Sequence, residues 1–495
     1  MKLKKIMSAL LSGIMLLTSS GFISAGAAQT AEKQQEDYAA YLFAYFRDNR
    51  EEALCYGVSR DGYAFRTLND GEPVFNSTLG TQHLRDPYIF RGEDNYFYIV
   101  VTDMNSATGW ASQSTIAIYK TKDLINIDNS ILIDYKDFEG FNDCNRAWAP
   151  QIIWCPEHDN GEGKDKGAYM IYLAIQNAST ADSLGTLMYK HFATDLMDAD
   201  TYTTPEMMLT GQTEGKYDGV GAIDGDIIHD EVNDRYLMYF DGVRVAACDT
   251  IDGTYTELSE DGEGIYQGKS PFADYRSEGS NMFKLNKTGT QTEDKWIYCA
   301  DGDAFGTGYL VFETTDFANY TQIGGRGAAE QKIDYDFTPR HGYVIPITDN
   351  ELDALMDKYG YVDLPDRFSE NPLTNNLTLP YTESGYKIAG NITLPESVTA
   401  DGTKYDVTWE SSNPDVIDTE AHVFTDAEIE EKGYNENYKE YPAGKVTRPA
   451  NTDEKVTLTA SIDGTEYTKK FVVTVKKAPQ MSYEEMRKKD QEEGG

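Results

Sequence analysis

Short segments of β-type composition recur about every 60 residues between Tyr38 and Thr348, and this repeat constrains the fold more than any other feature. Each unit contains a strand, a gap, a second strand that ends in a motif such as Lys-Thr-Lys-Asp-Leu or Ala-Thr-Asp-Leu, and a third strand. Such a repeat is typical of a β-propeller rather than of a β-sandwich, and it predicts about five blades, the last completed near Gly342–Ile347. The predicted strands include 96–101, 115–120, 131–135, 168–175, 187–191, 235–240, 244–248, 295–300 and 308–313.

The first domain is expected to end soon after these repeats. The amphipathic segment Glu351–Lys358 reads as a short helix, and Pro365 follows it. We therefore predict a propeller domain over residues 38–365.

A second domain is predicted for residues 377–478, where strands alternate more cleanly. Its segments Thr408–Pro414 and Gly444–Ala450 resemble those of small bacterial immunoglobulin-like domains. The predicted fold class is thus all-β, a five-bladed β-propeller followed by a small immunoglobulin-like β-sandwich. The acidic stretch 418–441 is interpreted as a loop insertion, and 479–495 as a disordered tail.

The N-terminal segment and the charge of the chain indicate a soluble, exported protein. Lys2, Lys4 and Lys5 precede the apolar stretch Ile6–Phe22 and the small residues Ala25–Ala27, so residues 1–27 are predicted to be a signal peptide. A formal net charge of −39 disfavours binding to nucleic acid or to anionic membranes. We expect a secreted, extracellular protein with a neutral partner.

Three acidic residues stand at the starts of successive predicted blades, each with an unusual flank. They are Asp86 in Arg-Asp-Pro, Asp224 in Ala-Ile-Asp-Gly and Glu278 in Glu-Gly-Ser. Because the chain has 83 Asp and Glu residues, an acidic residue type alone does not indicate a functional role. The alternative for each is structural, an Asp in a turn or a Glu on the surface, and Asp226 competes with Asp224 for any role.

Together with Trp148-Ala149-Pro150, these motifs occur in an order and at a spacing that resemble glycoside hydrolase family 43, over roughly residues 50–348. The resemblance implies a five-bladed propeller that hydrolyses glycosides with inversion at the anomeric carbon. It also implies that Asp86 is the general base, that Glu278 is the general acid, and that Asp224 orients the acid and tunes its pKa. The chain has Gly225 and Ser280 where proline is common in the family.

The chemistry explains why three acids are needed. One protonated carboxyl donates to the leaving oxygen while an ionised one takes a proton from water, which for inversion requires a separation of ~6.5–9.5 Å. A third carboxylate beside the acid raises its pKa by like-charge repulsion.

Four further residues are candidates for binding. Trp110, Trp148 and Arg340 are expected to contact sugar, with core packing as the alternative for the two tryptophans. His341 is a candidate to hold a structural calcium ion, as the resemblance implies, although a lone histidine is more often a packed core residue. No cofactor is expected to be required.

The predicted function is release of α-L-arabinofuranosyl or β-xylosyl residues from plant polysaccharide or oligosaccharide by a monomeric enzyme. Endo-arabinanase and exo-galactanase activities remain open, as does a glycan-binding propeller without turnover. The invertase and levansucrase group is less favoured, because its Asn-Asp-Pro-Asn motif is missing.

Overall fold

A computed structural model gives the fold of this chain. It describes residues 38–49, 51–161, 167–212, 222–242, 244–258, 277–302, 308–369, 372–379, 387–400, 402–432, 440–441, 443–465 and 467–479. The predicted signal peptide and almost all of the predicted tail lie outside these ranges. Within them, no helix has the length and apolar character needed to cross a membrane.

Described residues between 40 and 347 form five sheets of four or five strands each, which are the blades of a propeller. Neighbouring strands within a blade are antiparallel, except that Asp334–Tyr335 pairs in parallel with Ala64 and Phe65. Blade 1 contains β1 (Ala40–Phe46), β2 (Leu54–Ser59), β3 (Ala64–Thr67), β20 (Asp334–Tyr335) and β21 (Gly342–Ile347). Blade 2 contains β4 (Leu84–Arg91), β5 (Phe97–Asp103), β6 (Thr115–Thr121) and β7 (Ile127–Asp134), and blade 3 contains β8 (Cys144–Cys155), β9 (Ala168–Asn177), β10 (Leu187–Ala193) and β11 (Glu206–Met207). Blade 4 contains β12 (Asp226–Asp230), β13 (Arg235–Phe240), β14 (Arg244–Cys248) and β15 (Thr256–Glu257), and blade 5 contains β16 (Glu278–Lys284), β17 (Trp296–Gly302), β18 (Gly308–Thr314) and β19 (Thr321–Gly324). The all-β, five-bladed prediction is confirmed.

The two ends of the propeller meet in blade 1. Strand β21 pairs with β1, with Leu42 opposite Ile345 and Tyr45 opposite Gly342. A Cβ at position 342 would collide with the backbone of Ala44 and Tyr45, so glycine is needed for this close pairing. The closing strand therefore completes the ring where the sequence predicted, directly after Arg340 and His341.

The hydrophobic core is divided among the spaces between adjacent blades. One cluster joins blades 1 and 2 through Leu42 and Ile99, and another joins blades 5 and 1 through Phe43 and Val311. Blades 2 and 3, 3 and 4, and 4 and 5 share three equivalent clusters among the described residues. Because every blade buries both faces against its neighbours, the inner strands hold fixed positions around one axis.

Helix α2 (Asp349–Tyr359) follows the closing strand and packs on the cluster between blades 1 and 2. The Thr348 side chain accepts from the Glu351 N–H in a capping box, and Glu351 also forms an ion pair with Arg91 of β4. The only other α-helix described in the propeller region is the single turn α1 (Ala181–Leu184), although short 3₁₀ turns such as Ser106–Thr108 also occur there.

A second group of strands has its own core, which includes Leu458, Phe471 and Val473. Its main sheet has five strands, in the spatial order 387–388, 468–475, 454–462, 403–411 and 397–400. The acidic stretch predicted to be a loop contains a helix and short strands in its described residues. The elements are α3 (Pro372–Asn376), β22 (Lys387–Ile388), β23 (Ser397–Ala400), β24 (Thr403–Ser411), β25 (Ile417–Asp418), β26 (His422–Val423), α4 (Asp426–Lys432), β27 (Glu440–Tyr441), β28 (Lys445–Val446), β29 (Glu454–Ile462) and β30 (Thr468–Val475). The immunoglobulin-like assignment and the domain boundaries stay predictions.

Candidate active site

The same backbone feature recurs within or just before four inner strands. Asp86, Ala149, Asp224 and Gly279 have φ values of 48°, 46°, 57° and 63°, in the left-handed region. Around Asp86, Ala149 and Gly279 the strand pairing also shifts register, as in a β-bulge. Bulges re-aim side chains, and strained φ values concentrate at functional sites. The repeat therefore marks one end of the propeller axis as the candidate site.

The structure brings the three predicted acids together around His341, the residue before β21. The His341 Nδ1 atom lies 3.4 Å from Asp86 Oδ1 and 3.8 Å from Asp224 Oδ2. Asp224 Oδ2 also accepts a hydrogen bond of 2.9 Å from the backbone N–H of Gly279, the residue after Glu278. Blades 1, 2, 4 and 5 thus each contribute to one cluster of charged groups.

Asp86 is held in its ionised form. Burial alone would raise its pKa, but a hydrogen bond from His341 and the positive charges of Arg85 and His341 lower the pKa to about 2. Thr102 Oγ1 donates to Asp86 Oδ2 at 2.9 Å and accepts from the Ala149 N–H at 2.7 Å. Asp86 is therefore a carboxylate fixed between two blades.

The pKa of Glu278 is shifted in the opposite direction, so that its protonated form is favoured. Burial, followed by the negative charges of Asp224, Asp301 and Asp86, raises its pKa to about 7, although His341 opposes this shift. Burial also raises the pKa of Asp224, with Asp86 contributing, while His341 and the Gly279 N–H oppose the rise. The pocket therefore holds one carboxyl that stays ionised and one that retains its proton near neutral pH.

Asp301 is a member of the cluster that the sequence analysis missed. It lies opposite Glu278 in the pairing of β16 with β17 and is fully buried. Its Oδ2 atom accepts 2.7 Å from Arg340 Nε and 3.0 Å from the His341 N–H. Asp301 therefore ties the segment before the closing strand to blade 5, and only the strand pairing could have revealed it.

His341 lies among carboxylates that favour its protonated form. Burial would lower its pKa, but the charges of Asp224, Asp86 and Asp301 and the hydrogen bond to Asp86 raise the pKa to about 9. Calcium prefers six to eight oxygen ligands, whereas a protonated imidazole offers none. Among the described residues, no group of three or more His, Cys, Asp or Glu side chains is arranged to hold a metal ion. The expectation that His341 helps to hold a calcium ion stays a prediction.

Asp241, at the end of β13, was also missed and clamps the backbone beside Asp224. Its Oδ1 atom accepts from the Ile223 N–H at 2.9 Å, and its own N–H donates to the Ile223 carbonyl at 2.9 Å. Burial raises the pKa of Asp241 to about 7, with Arg244 opposing the rise and Asp224 adding to it. Arg244 is held in turn by two hydrogen bonds to Glu257. The turn that carries Asp224 is therefore fixed by hydrogen bonds to the N–H and to the carbonyl of Ile223, the residue before it.

Cationic and aromatic side chains alternate beside the cluster and form what we call the rim. Arg340 and Arg85 lie 5.0 Å and 4.6 Å from the ring centre of Phe46, and Arg85 also lies 5.2 Å from that of Trp110. Trp110 makes an edge contact of 6.3 Å with Trp148. Trp110 is 51% exposed, whereas Arg85 and Arg340 are buried. The three residues predicted to bind sugar thus lie along one rim, with Phe46 and Arg85 as members that the sequence did not indicate.

The Trp148 indole N–H is buried and makes no hydrogen bond within the described residues. Arg146 lies 4.4 Å from the same ring system. A buried donor without a partner is costly in a folded protein. A hydroxyl group of a bound ligand could accept this hydrogen bond.

Asp226 binds the backbone of β16, whereas Asp224 lies within ion-pair distance of His341. Asp226 is fully buried, and its Oδ2 atom accepts 2.6 Å from the Met282 N–H. Its Oδ1 atom and both polar side-chain atoms of Asn281 have no hydrogen-bond partner within the described residues. Burial raises the pKa of Asp226 well above its usual range. Of the two competing aspartates, Asp224 is the one beside His341 and Glu278.

We expect that Gly279→Ala disrupts the cluster more than a matched glycine substitution. A Cβ at position 279 would lie 2.7 Å from His341 Cγ, in addition to the cost of a positive φ. Gly185→Ala is the control, because Gly185 has a φ of 73° with open space around its Cβ position. In urea unfolding, Gly279→Ala should lose about 1–3 kcal/mol more than Gly185→Ala. Equal losses would contradict the packing described here.

The sequence of this chain is similar to a family model and to a known protein. A family model described as "Probable glycosyl hydrolase domain", related to glycosyl hydrolase family 43, matches residues 36–353. An alpha-L-arabinofuranosidase from Bifidobacterium longum subsp. longum is 22% identical to this chain over 86% of its length. The match covers 41% of the length of that relative.

Two solved structures are also similar to this chain. A xylan beta-1,4-xylosidase from Bacillus halodurans C-125 is 11% identical, with a TM-score of 0.37 over 88% of each chain. A family 43 protein from Bacillus licheniformis is 15% identical, with a TM-score of 0.32 over 51% of this chain and 42% of that one. Because the family model covers more than half of the sequence, this chain belongs to the glycosyl hydrolase domains related to family 43.

Proposed function

We propose that this protein is a secreted, inverting glycoside hydrolase that releases pentose residues from the side chains of plant hemicellulose or pectin. The observation that carries the proposal is the cluster of Asp86, Asp224 and Glu278 around His341, which lowers the pKa of Asp86 to about 2 and raises that of Glu278 to about 7. Glycoside cleavage needs one ionised carboxylate and one protonated carboxyl at neutral pH.

In this mechanism Glu278 is the general acid. Its carboxyl proton passes to the glycosidic oxygen as the bond from that oxygen to the anomeric carbon breaks. Asp86 takes a proton from the water whose oxygen attacks the same carbon from the opposite face. The products are a sugar of inverted configuration and a leaving group with a new hydroxyl, and the proton on Asp86 returns to solvent as Glu278 is reprotonated.

Asp224 and His341 act on this pair without exchanging protons with the substrate. The negative charge of Asp224 favours the protonated form of Glu278, and its hydrogen bond from Gly279 fixes the backbone beside that acid. The positive charge of His341 favours the ionised form of Asp86. The positive charge of His341 thus offsets the repulsion between the carboxylates of Asp86 and Asp224, while Glu278 remains protonated.

An α-L-arabinofuranosyl unit is proposed ahead of a β-xylosyl unit as the released sugar. The arabinofuranosidase that matches most of this chain supports that order, although the chain spans 41% of its length. Trp110, Trp148 and Arg340 are proposed to contact the sugar. Export is proposed from the signal-like segment 1–27, and the N-terminal residue of the mature protein tests it.

Glu278→Gln should abolish hydrolysis of natural substrates without unfolding the protein. Loss of a general acid typically costs 10²–10⁴-fold in rate. The measurement is release of pentose from arabinan and arabinoxylan, with the anomer of the first product identified by proton NMR. Glu330→Gln, at an exposed position, is the matched control. Near-normal turnover by Glu278→Gln, or a first product of retained configuration, would reject the proposed mechanism.

The pH dependence of kcat/KM should fall on the basic side as Glu278 loses its proton, near pH 7. Since the pKa of Asp86 is about 2, its protonation should not limit activity in mildly acidic solution. Asp224→Asn removes a negative charge beside Glu278, so the basic limb should move down by roughly one pH unit. A basic limb that stays in place in Asp224→Asn would show that Asp224 does not tune the acid.

A further inference from the structure

A separate cleft opens on the surface of blade 1, beside the candidate active site. Its volume is about 420 Å³, and its lining includes Tyr45, Arg47, Asp48, Phe337 and Arg340. This volume falls in the range of ~300–1,000 Å³ that is usual for small-molecule sites. None of the three proposed catalytic or tuning acids lines it.

One short segment connects the cleft to the catalytic cluster. Residues 336–341 run from β20 to β21, with Phe337 and Arg340 in the cleft wall and His341 between Asp86 and Asp224. Asp336 fixes the outer end of this segment by accepting 2.8 Å from the Thr67 N–H. Asp301 fixes the inner end through Arg340 and the His341 N–H. The cleft is therefore held in a defined position relative to the acids.

The lining has the chemistry of a site for a neutral, hydroxyl-rich ligand. The half-buried ring of Phe337 stacks on Tyr45 at 4.3 Å and 17°. A Cβ at Gly57 would lie 2.9 Å from Phe337 Cζ, so the glycine leaves room for this ring in the wall. Carboxylates and guanidinium groups both line the cleft, so the lining carries negative and positive charges. The part of the Phe337 ring that remains exposed, together with such polar groups, suits a sugar ring and its hydroxyls.

We propose that this cleft binds the sugar units on the leaving-group side of the scissile bond, so that the enzyme recognises an oligosaccharide rather than one pentose. This inference rests on the proposed function, because it deepens the same site. The position of Arg340 supports it, since that residue lies in both the rim and the cleft wall. Asp70 in the cleft wall forms an ion pair with Lys387 at the start of β22, so the second group of strands borders the cleft.

Steady-state kinetics with two substrate classes test the cleft. Nitrophenyl α-L-arabinofuranoside has no sugar on the leaving-group side, whereas α-1,5-linked arabino-oligosaccharides place sugars there. Phe337→Ala should lower kcat/KM about 3- to 10-fold for the oligosaccharides, the size expected for a lost aromatic contact, and leave the nitrophenyl substrate unchanged. Tyr467→Ala, at an aromatic residue 40% exposed among the later strands, is the matched control.

Phe337→Leu provides a second variant, because it keeps an apolar side chain against Tyr45 while removing the aromatic face. Equal losses on both substrates, or no loss on the oligosaccharides in either folded variant, would overturn the inference. If the unmodified enzyme hydrolyses neither substrate, the proposed function fails instead. Calorimetric titration with arabinotriose then tests the cleft alone, and equal affinities of the unmodified protein and Phe337→Leu would overturn it.

Discussion

The ion pairs of His341 with Asp86 and Asp224 are the interaction on which the rest of the site depends. Bringing carboxyl groups from three blades into one buried pocket is costly, because burial and like charge both oppose ionisation. An imidazolium 3.4 Å from one carboxylate and 3.8 Å from another reduces that cost. Its charge also allows Asp86 to stay ionised while Glu278, opposite Asp301, retains a proton.

The propeller supplies this arrangement by repetition. Each inner strand approaches the same axis, and a local left-handed residue at Asp86, Ala149, Asp224 and Gly279 turns the chain there. The closing strand adds His341 from the C-terminal side of the ring, so the site is complete only when β21 pairs with β1. The complete cluster of charged groups therefore requires the closed ring.

Much of the fold could be predicted because many strands are continuous segments of β-type composition that are bounded by Gly, Asp and Asn turns. The segments predicted over 235–240 and 244–248 coincide with β13 and β14. Inner strands are harder, because Pro87, Pro150 and Gly279 interrupt β-type composition where the backbone bulges. The acids were found through their flanking motifs, which are local. Asp301, Thr102 and Asp241 were missed because their roles arise from contacts between strands and blades, which no local pattern records.

The central claim is that the pocket keeps Glu278 protonated near neutral pH while Asp86 is ionised. Difference infrared spectroscopy of the carboxyl C=O stretch, recorded from pH 4 to 9 for the unmodified protein and for Glu278→Gln, measures this directly. The account predicts two carboxyls that titrate near pH 7, Glu278 and Asp241, of which only the Glu278 signal is missing from the variant. A Glu278 signal that is already lost at pH 5 would contradict it.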